Sequence, residues 1–476
     1  MHRPCSIPSL TAIAAAVALV VSPLAHAASP APTQKLEAKL DQMAQQLLEM
    51  RGELAQLKQE NVQLKAQQQQ QAQTSQQTAA DQATLKSQVD ATSQSVQTAL
   101  AKPSPLDNLN IWGYGEMYYS RPTRQSENTR ADLARGVFGI GYQFDDKTRF
   151  NSEFEIEHGV TSSSDPGEFE VEQFYVDHKF NDSLSGKAGL FLIPAGLINE
   201  NHEPTNFYGV TRNFVETLII PSTWREGGLS LSGDTKFGLG WSAGVTTGLD
   251  LSKWNFTPTS PLYTSALELQ NNSVAPMQAT HQEMALANAQ KLSGFVSLNY
   301  RGVPGLTVGG SVFNGGTVKA TPDMGSSQRV TLYEAHARYQ PGPWDLSALY
   351  AHGSFSHTAE ANASAAATAA ANGQSLTNPM PASFYGWYLQ AAYNAHVGGY
   401  RLAPFARYEK YNMAASYEGV GSGFSMPNGF AVPHDTVYTV GANFYLNQNV
   451  VFKVDYQRFK INRDFSRIDL GLGVTF

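Results

Sequence analysis

The spacing of apolar residues changes once along the chain. Over residues 34–65 it runs in steps of four and three: Leu36, Leu40, Met43, Leu47, Met50, Leu54, Leu57, then Asn61, then Leu64. This is the a/d seam of a left-handed coiled coil. The glutamines Gln67 to Gln71 weaken it, and it resumes in phase at Leu85, Val89 and Val96. Asn61 takes an a position, where a buried amide fixes register at some cost in stability. The core residues leave two strands and three both open. A Gln-rich linker without fixed structure is the alternative, above all over 66–100. Pro103 and Pro105 end the helical stretch.

From Leu109 onward the period is two. Ile468, Leu470, Leu472, Val474 and Phe476 alternate with Arg467, Asp469, Gly471, Gly473 and Thr475. Val450, Phe452, Val454 and Tyr456 alternate with Lys453, Asp455 and Gln457, and Phe138, Ile140, Tyr142 and Phe144 form another apolar face. An apolar face toward lipid and a polar or small face toward a lumen mark a transmembrane β-strand. About sixteen such segments occur, each near the ~10 residues a tilted strand needs to cross. They begin near 111, 134, 148, 168, 184, 226, 239, 293, 305, 329, 343, 383, 400, 435, 449 and 466. Short connections such as Asn181-Asp182-Ser183, Gly302-Val303-Pro304 and Asn447-Gln448 alternate with mostly longer ones. The expected fold is an all-β transmembrane barrel of about 16 antiparallel strands, preceded by an α-helical coiled coil. An even strand count puts both chain ends in the periplasm.

Composition agrees with a barrel wall. Charged residues are 15%, against about 25% in soluble domains, with Gly 40, Tyr 21 and Phe 24. A net charge of -7 argues against nucleic acid, which needs a basic face. His2 and Arg3 precede an apolar stretch, Leu10 to Leu24, that ends at Ala25-His26-Ala27, the pattern of an export signal with cleavage after Ala27. The stretch is shorter than a spanning helix needs. Cys5 is the one cysteine and would be removed with the signal, so disulfides and thiolate metal sites are excluded. The expected organisation is a signal peptide (1–27), a periplasmic coiled coil (28–102), a linker (103–108) and an outer-membrane barrel (109–476).

The connection from Pro194 to Trp224 follows the fifth strand and is the third long one; by its resemblance to the third outer loop of known outer-membrane channels it is expected to fold inward and narrow the pore. It offers Glu200, His202, Glu203, Arg212, Glu216 and, at its end, Arg225 as candidate constriction residues. Parity turns Arg135, Arg149, Glu153, Glu155, Glu157, Glu334, His336, Arg338, Arg407 and Glu409 to the lumen, where charges set ion selectivity. The alternatives are an ordinary solvated loop and wall charges that pair with one another. No G-x-S-x-G, H-E-x-x-H or P-loop occurs; no enzyme activity, cofactor or metal site is expected. An outer-membrane hydrolase and a structural tether to the cell wall are the rival classes.

Three segments carry a resemblance: Gly189-Leu190-Phe191-Leu192-Ile193-Pro194, Arg225-Glu226-Gly227-Gly228, and Gly441-Ala442-Asn443-Phe444-Tyr445-Leu446-Asn447. With them the chain resembles the phosphate-selective porin family over most of 110–476. The N-terminal seam looks like the stalk of sucrose and dicarboxylate porins. The resemblance implies a homotrimer of sixteen-stranded channels in lipid and lipopolysaccharide, passing small hydrophilic solutes. The family's anion selectivity rests on stacked arginines and inward lysines. No residue-by-residue placement of that ladder follows from this sequence, and Glu153, Glu155 and Glu157, an acidic row on one strand, oppose it.

Overall fold

The computed structural model describes residues 107–476 apart from 163–166, 272–273, 422–423, 425–426 and 428–429, together with residues 81–95 and scattered positions from 43 to 78. The signal peptide, the linker up to residue 106 and most of the seam lie outside the described residues. The chain divides into two units, 1–101 and 102–476. In the first, residues 81–95 form a continuous α-helix. Leu85 and Val89 lie exposed on it.

The second unit is one sheet. Its strands are β1 (Leu109–Pro122), β2 (Arg130–Gln143), β3 (Thr148–Glu157), β4 (Phe169–Asn181), β5 (Leu184–Leu192), β6 (Arg225–Asp234), β7 (Leu239–Thr247), β8 (Leu292–Val303), β9 (Leu306–Gly316), β10 (Arg329–Tyr339), β11 (Trp344–Phe355), β12 (Pro381–Tyr393), β13 (Ala395–Val397), β14 (Tyr400–Tyr417), β15 (His434–Tyr445), β16 (Val450–Phe459) and β17 (Arg467–Thr475). Each pairs antiparallel with its neighbours, and β17 returns to pair with β1. The three residues of β13 continue β12 along the same partner, β14, so the wall is a closed barrel of 16 strand places. Closure reaches the last residue: Phe476 N–H donates to Gly113 O at 2.8 Å and Gly113 N–H to Phe476 O at 3.0 Å. No edge is left to pair with another chain.

Alternation explains the wall. Along β17, Ile468 and Leu470 face out, exposed, while Arg467 and Asp469 are buried; β16 repeats this with Phe452, Val454 and Tyr456 against Lys453, Asp455 and Gln457. Strand starts agree with the sequence reading to within two residues except at β2, which starts at Arg130 rather than near 134. A register shift at Glu116/Met117 leaves Ala134 unpaired, so alternation breaks there while pairing continues. The turns at one end are short and locally braced. In one, Asp145 Oδ1 accepts from the N–H of Lys147 and of Thr148, both at 2.8 Å, an Asx-type turn.

The interior departs from the expected polar lumen. The inward positions Val330, Leu332, Leu349, Phe355, Phe384, Tyr411, Val437 and Phe459 are all buried and apolar. Several of them alternate with polar outward residues (Arg329 and Thr331, Lys410 and Asn412, Arg458 and Lys460), the reverse of the lipid-facing pattern, so a rule that points apolar residues at lipid does not show that this half is dry inside. The long connections fill this half. Phe214 stacks on Tyr411 at 5.7 Å and meets Phe459 edge-on at 5.2 Å. Trp224 meets Phe313 at 4.6 Å. Leu249, Leu251, Leu269 and Met277 of the connection after β7 join the same cluster. Each large side chain removed from water contributes about 1.5–3 kcal/mol, so the loops are held inside by the force that builds a soluble core.

Candidate pore constriction

The connection 193–224, L3 below, is stitched first to itself. Asn199 Nδ2 donates to Ile193 O at 2.8 Å and to Trp224 O at 2.9 Å, and its Oδ1 accepts from Trp224 N–H at 2.7 Å. One side chain thus joins the loop's entry to its exit. Glu216 is buried on a four-residue helical turn, Val215–Leu218. Its Oε1 accepts from Leu197 N–H at 2.6 Å and Ile198 N–H at 2.9 Å; its Oε2 accepts from Asn213 Nδ2 at 2.8 Å and from the hydroxyl of Tyr388 on β12 at 2.9 Å. Gly196 carries a left-handed φ of +76°, and a Cβ there would lie 2.4 Å from Glu216 Oε1.

The wall then grips the loop's backbone. Asn443 Nδ2 donates to Phe207 O, Arg407 Nη1 to Tyr208 O at 3.1 Å, and Gly209 N–H to Asn443 Oδ1. Val210 N–H donates to Asp455 Oδ2 at 2.6 Å and Phe214 N–H to Glu409 Oε1 at 2.7 Å. Lys453 Nζ stands 3.5 Å from the centre of the Phe207 ring. Arg407 pairs with Glu409, and Arg467 with Asp469, both at 2.8 Å. These charges come from β14 to β17, so L3 crosses the lumen to the far wall.

The candidates fall into distinct places. Arg407 and Glu409 are anchors of L3. Glu216 braces the loop from within, and Glu203 accepts from Asn206 Nδ2 at 2.6 Å. Glu334 pairs with His336 at 2.8 Å, and Arg338 with Asp345 at 2.6 Å. Arg149 is exposed at the turn end and pairs with Asp177 at 3.2 Å. Glu200 lies by the turns after β4 and β6. Arg135, turned to the lumen by parity, is buried there against L3: its Nε meets Glu116 Oε1 at 2.8 Å and its Nη2 donates to His202 O at 2.8 Å. Arg225 pairs with Glu170 at 2.6 Å and Glu283 at 3.1 Å.

Alternation misses Glu172. The β3–β4 register shifts between Glu153 and Phe154, which leaves Glu172 unpaired in the ladder beside Gln173. Both turn inward: Gln173 Nε2 donates to Glu153 Oε2, and Tyr114 OH donates to Glu172 Oε2 at 2.9 Å. No sequence signal marks a bulge of this kind. Glu116, by contrast, is visible in the Tyr114, Glu116, Tyr118 alternation.

Two cavities flank L3. The one toward the short turns measures about 670 Å³ and takes in Tyr208, Arg338, Asp345 and Arg401. The one toward the long loops measures about 230 Å³; six carboxylates line it (Glu116, Glu155, Glu157, Glu168, Glu170, Glu283) against three guanidiniums, Arg135, Arg212 and Arg225. Tyr208 lines the first and Val210 the second, so the loop passes from one to the other within a few residues. Arg212 Nη1 donates to Thr223 Oγ1 at 2.9 Å. Among the described residues it has no carboxylate within ion-pair distance. Its surroundings deep in the barrel, and then Arg135, push its pKa down to about 10, which leaves it cationic at neutral pH.

The family described as phosphate-selective porin O and P matches residues 108–464. The chain belongs to that family. An uncharacterized protein of Aquifex aeolicus (strain VF5) is 30% identical over 354 residues, 74% of this chain and 75% of the relative. Among solved structures, Salmonella typhi OmpF in complex with daunomycin is 14% identical, covering 78% of this chain and 97% of its own, with a TM-score of 0.45. The anion-selective porin of Comamonas acidovorans is 11% identical over 77% and 99%, also at 0.45. This porin is an outer-membrane diffusion channel, a channel rather than an enzyme.

Proposed function

We propose that the porin is a homotrimeric channel for small hydrophilic solutes whose extracellular mouth favours cations. The observation that carries this is the excess of carboxylates in the cavity toward the long loops. In an outer-membrane barrel the long loops are the extracellular ones, so incoming solutes meet acidic charge first. Arg135 and Arg225 are each paired with two carboxylates. Among the described residues Glu157 and Glu168 have no ion pair. Fixed charge in a narrow, poorly screened space selects the counter-ion. The family's name refers to phosphate, and this mouth opposes an anion.

Membership of a porin family supports the trimer. The exposed apolar face at Leu85 and Val89 supports an assembling helix, which we place in the periplasm as a stalk reaching toward the cell wall, preceded by a cleaved signal. The test is the zero-current potential of purified protein in a planar bilayer under a KCl gradient. Cation preference is expected. E157Q combined with E168Q weakens it, and R212Q strengthens it. An anion-preferring wild-type pore would sink the proposal.

A further inference from the structure

Where His202 of L3 meets the wall, acceptors outnumber hydrogens. His202 Nδ1 lies 2.9 Å from Asn199 O, which can only accept, so Nδ1 carries a hydrogen. In the neutral ring Nε2 is then a lone pair. It stands 2.6 Å from Tyr114 Oη and 3.7 Å from Glu172 Oε2. Tyr114 has one hydrogen to share between His202 and Glu172. Glu172 is fully buried, and its other oxygen, Oε1, has no hydrogen-bond partner among the described residues. Glu153 lies beside them: one oxygen each of Glu153 and Glu172 and a nitrogen of His202 all fall within 4.8 Å of one another. Glu116 and Glu155 complete the acidic surroundings, with Arg135 as the one guanidinium paired to both. Buried charge on this scale is paired or holds a metal.

We propose that Glu153, Glu172 and His202 bind a divalent transition-metal ion of the Zn2+ class, which clasps L3 to strands β3 and β4. Two donors at about 2.0–2.2 Å from a tetrahedral ion stand roughly 3.4 Å apart. The 3.7 Å between His202 Nε2 and Glu172 Oε2 is near that. One imidazole with carboxylates suits Zn2+ or Mn2+ better than Mg2+ or Ca2+, which take oxygen alone. The supports behind the ligands match a metal site as well. A metal-bound histidine gives its other ring N–H to a carbonyl or carboxylate, as Nδ1 does to Asn199 O. Glu153 is held by Trp112 Nε1 at 2.9 Å and by Gln173 Nε2 at 2.6 Å. The β4 bulge turns both Glu172 and Gln173 inward at this point.

The experiment is calorimetric titration of the chelator-stripped, full-length porin in detergent with Zn2+, and with Mg2+ as control. One Zn2+ per chain is expected, with no comparable Mg2+ uptake. H202Q and E172Q each weaken Zn2+ binding by at least about tenfold, while H352Q, altered on β11 away from the cluster, does not. Absence of Zn2+ uptake, or uptake unchanged in both variants, overturns the site. X-ray absorption of the Zn2+-loaded wild type decides the matter even if the variants fail to fold. A shell of one imidazole and oxygens supports the clasp; several imidazoles place the ion elsewhere and overturn it.

Discussion

His281 sits in the connection 248–291, buried beside Glu283 at 3.5 Å. Burial pushes its pKa down from the usual 6.5 to about 4, outweighing the opposing pull of Glu283. The sign follows from proton counting. Between pH 6.5 and 4 the undocked loop binds a proton that the docked loop refuses, so docking weakens as pH falls. Its stability is complete above pH 6.5 and drops by about 1.4 kcal/mol per unit below it, on the order of 3 kcal/mol by pH 4. Limited proteolysis within 251–291 should therefore accelerate as pH is lowered through this window, and H281Q should flatten the response. An identical pH profile in wild type and H281Q would assign the opening to other groups.

At the scale of elements, L3 is the part that decides whether the barrel is a tube or a valve. Glu216 accepts from two backbone N–H groups, Asn213 and Tyr388. E216A strands four donors, two of them, Asn213 Nδ2 and the Tyr388 hydroxyl, fully buried at about 1–3 kcal/mol each. The loop should release while the wall, closed through its own ladder, stays folded. Single-channel recordings should show larger and noisier conductance, with unchanged heat-modifiable mobility on gels. Conductance equal to the wild type would mean that Glu216 does not hold L3 in place. The strands and this loop's inward fold were readable from period two and from its place after the fifth strand. What the residues around L3 do was less so. A bulge leaves no mark in the alternation, which hid Glu172. Val330 and Leu332 point inward between Arg329, Thr331 and Tyr333, so the packed half of the interior reverses the apolar-out rule by which the strands were read. Pairings such as Glu409 with the Phe214 N–H join positions far apart in sequence that only closure brings together.

The barrel unit is an interior core wrapped by a sheet, with a polar cavity on either side of L3. The cavity toward the long loops is rich in carboxylates. In the cavity toward the short turns Arg338 and Arg401 outnumber Asp345. Two zones of opposite fixed charge in series behave as an ionic diode. A voltage that drives cations out of the acidic zone and anions out of the basic zone fills the junction at L3 with carriers of both signs; the reverse voltage empties it. Current should therefore be larger when the side bearing the long loops is positive. The asymmetry should grow toward 0.01 M salt, where screening reaches about 30 Å, and fade at 1 M, where it reaches about 3 Å. Current–voltage curves from oriented insertions, taken across that salt range, read this directly; symmetric curves at low salt would mean that the two zones do not act in series. A porin built this way admits and releases charged solutes at unequal rates, with no moving part beyond the ions themselves.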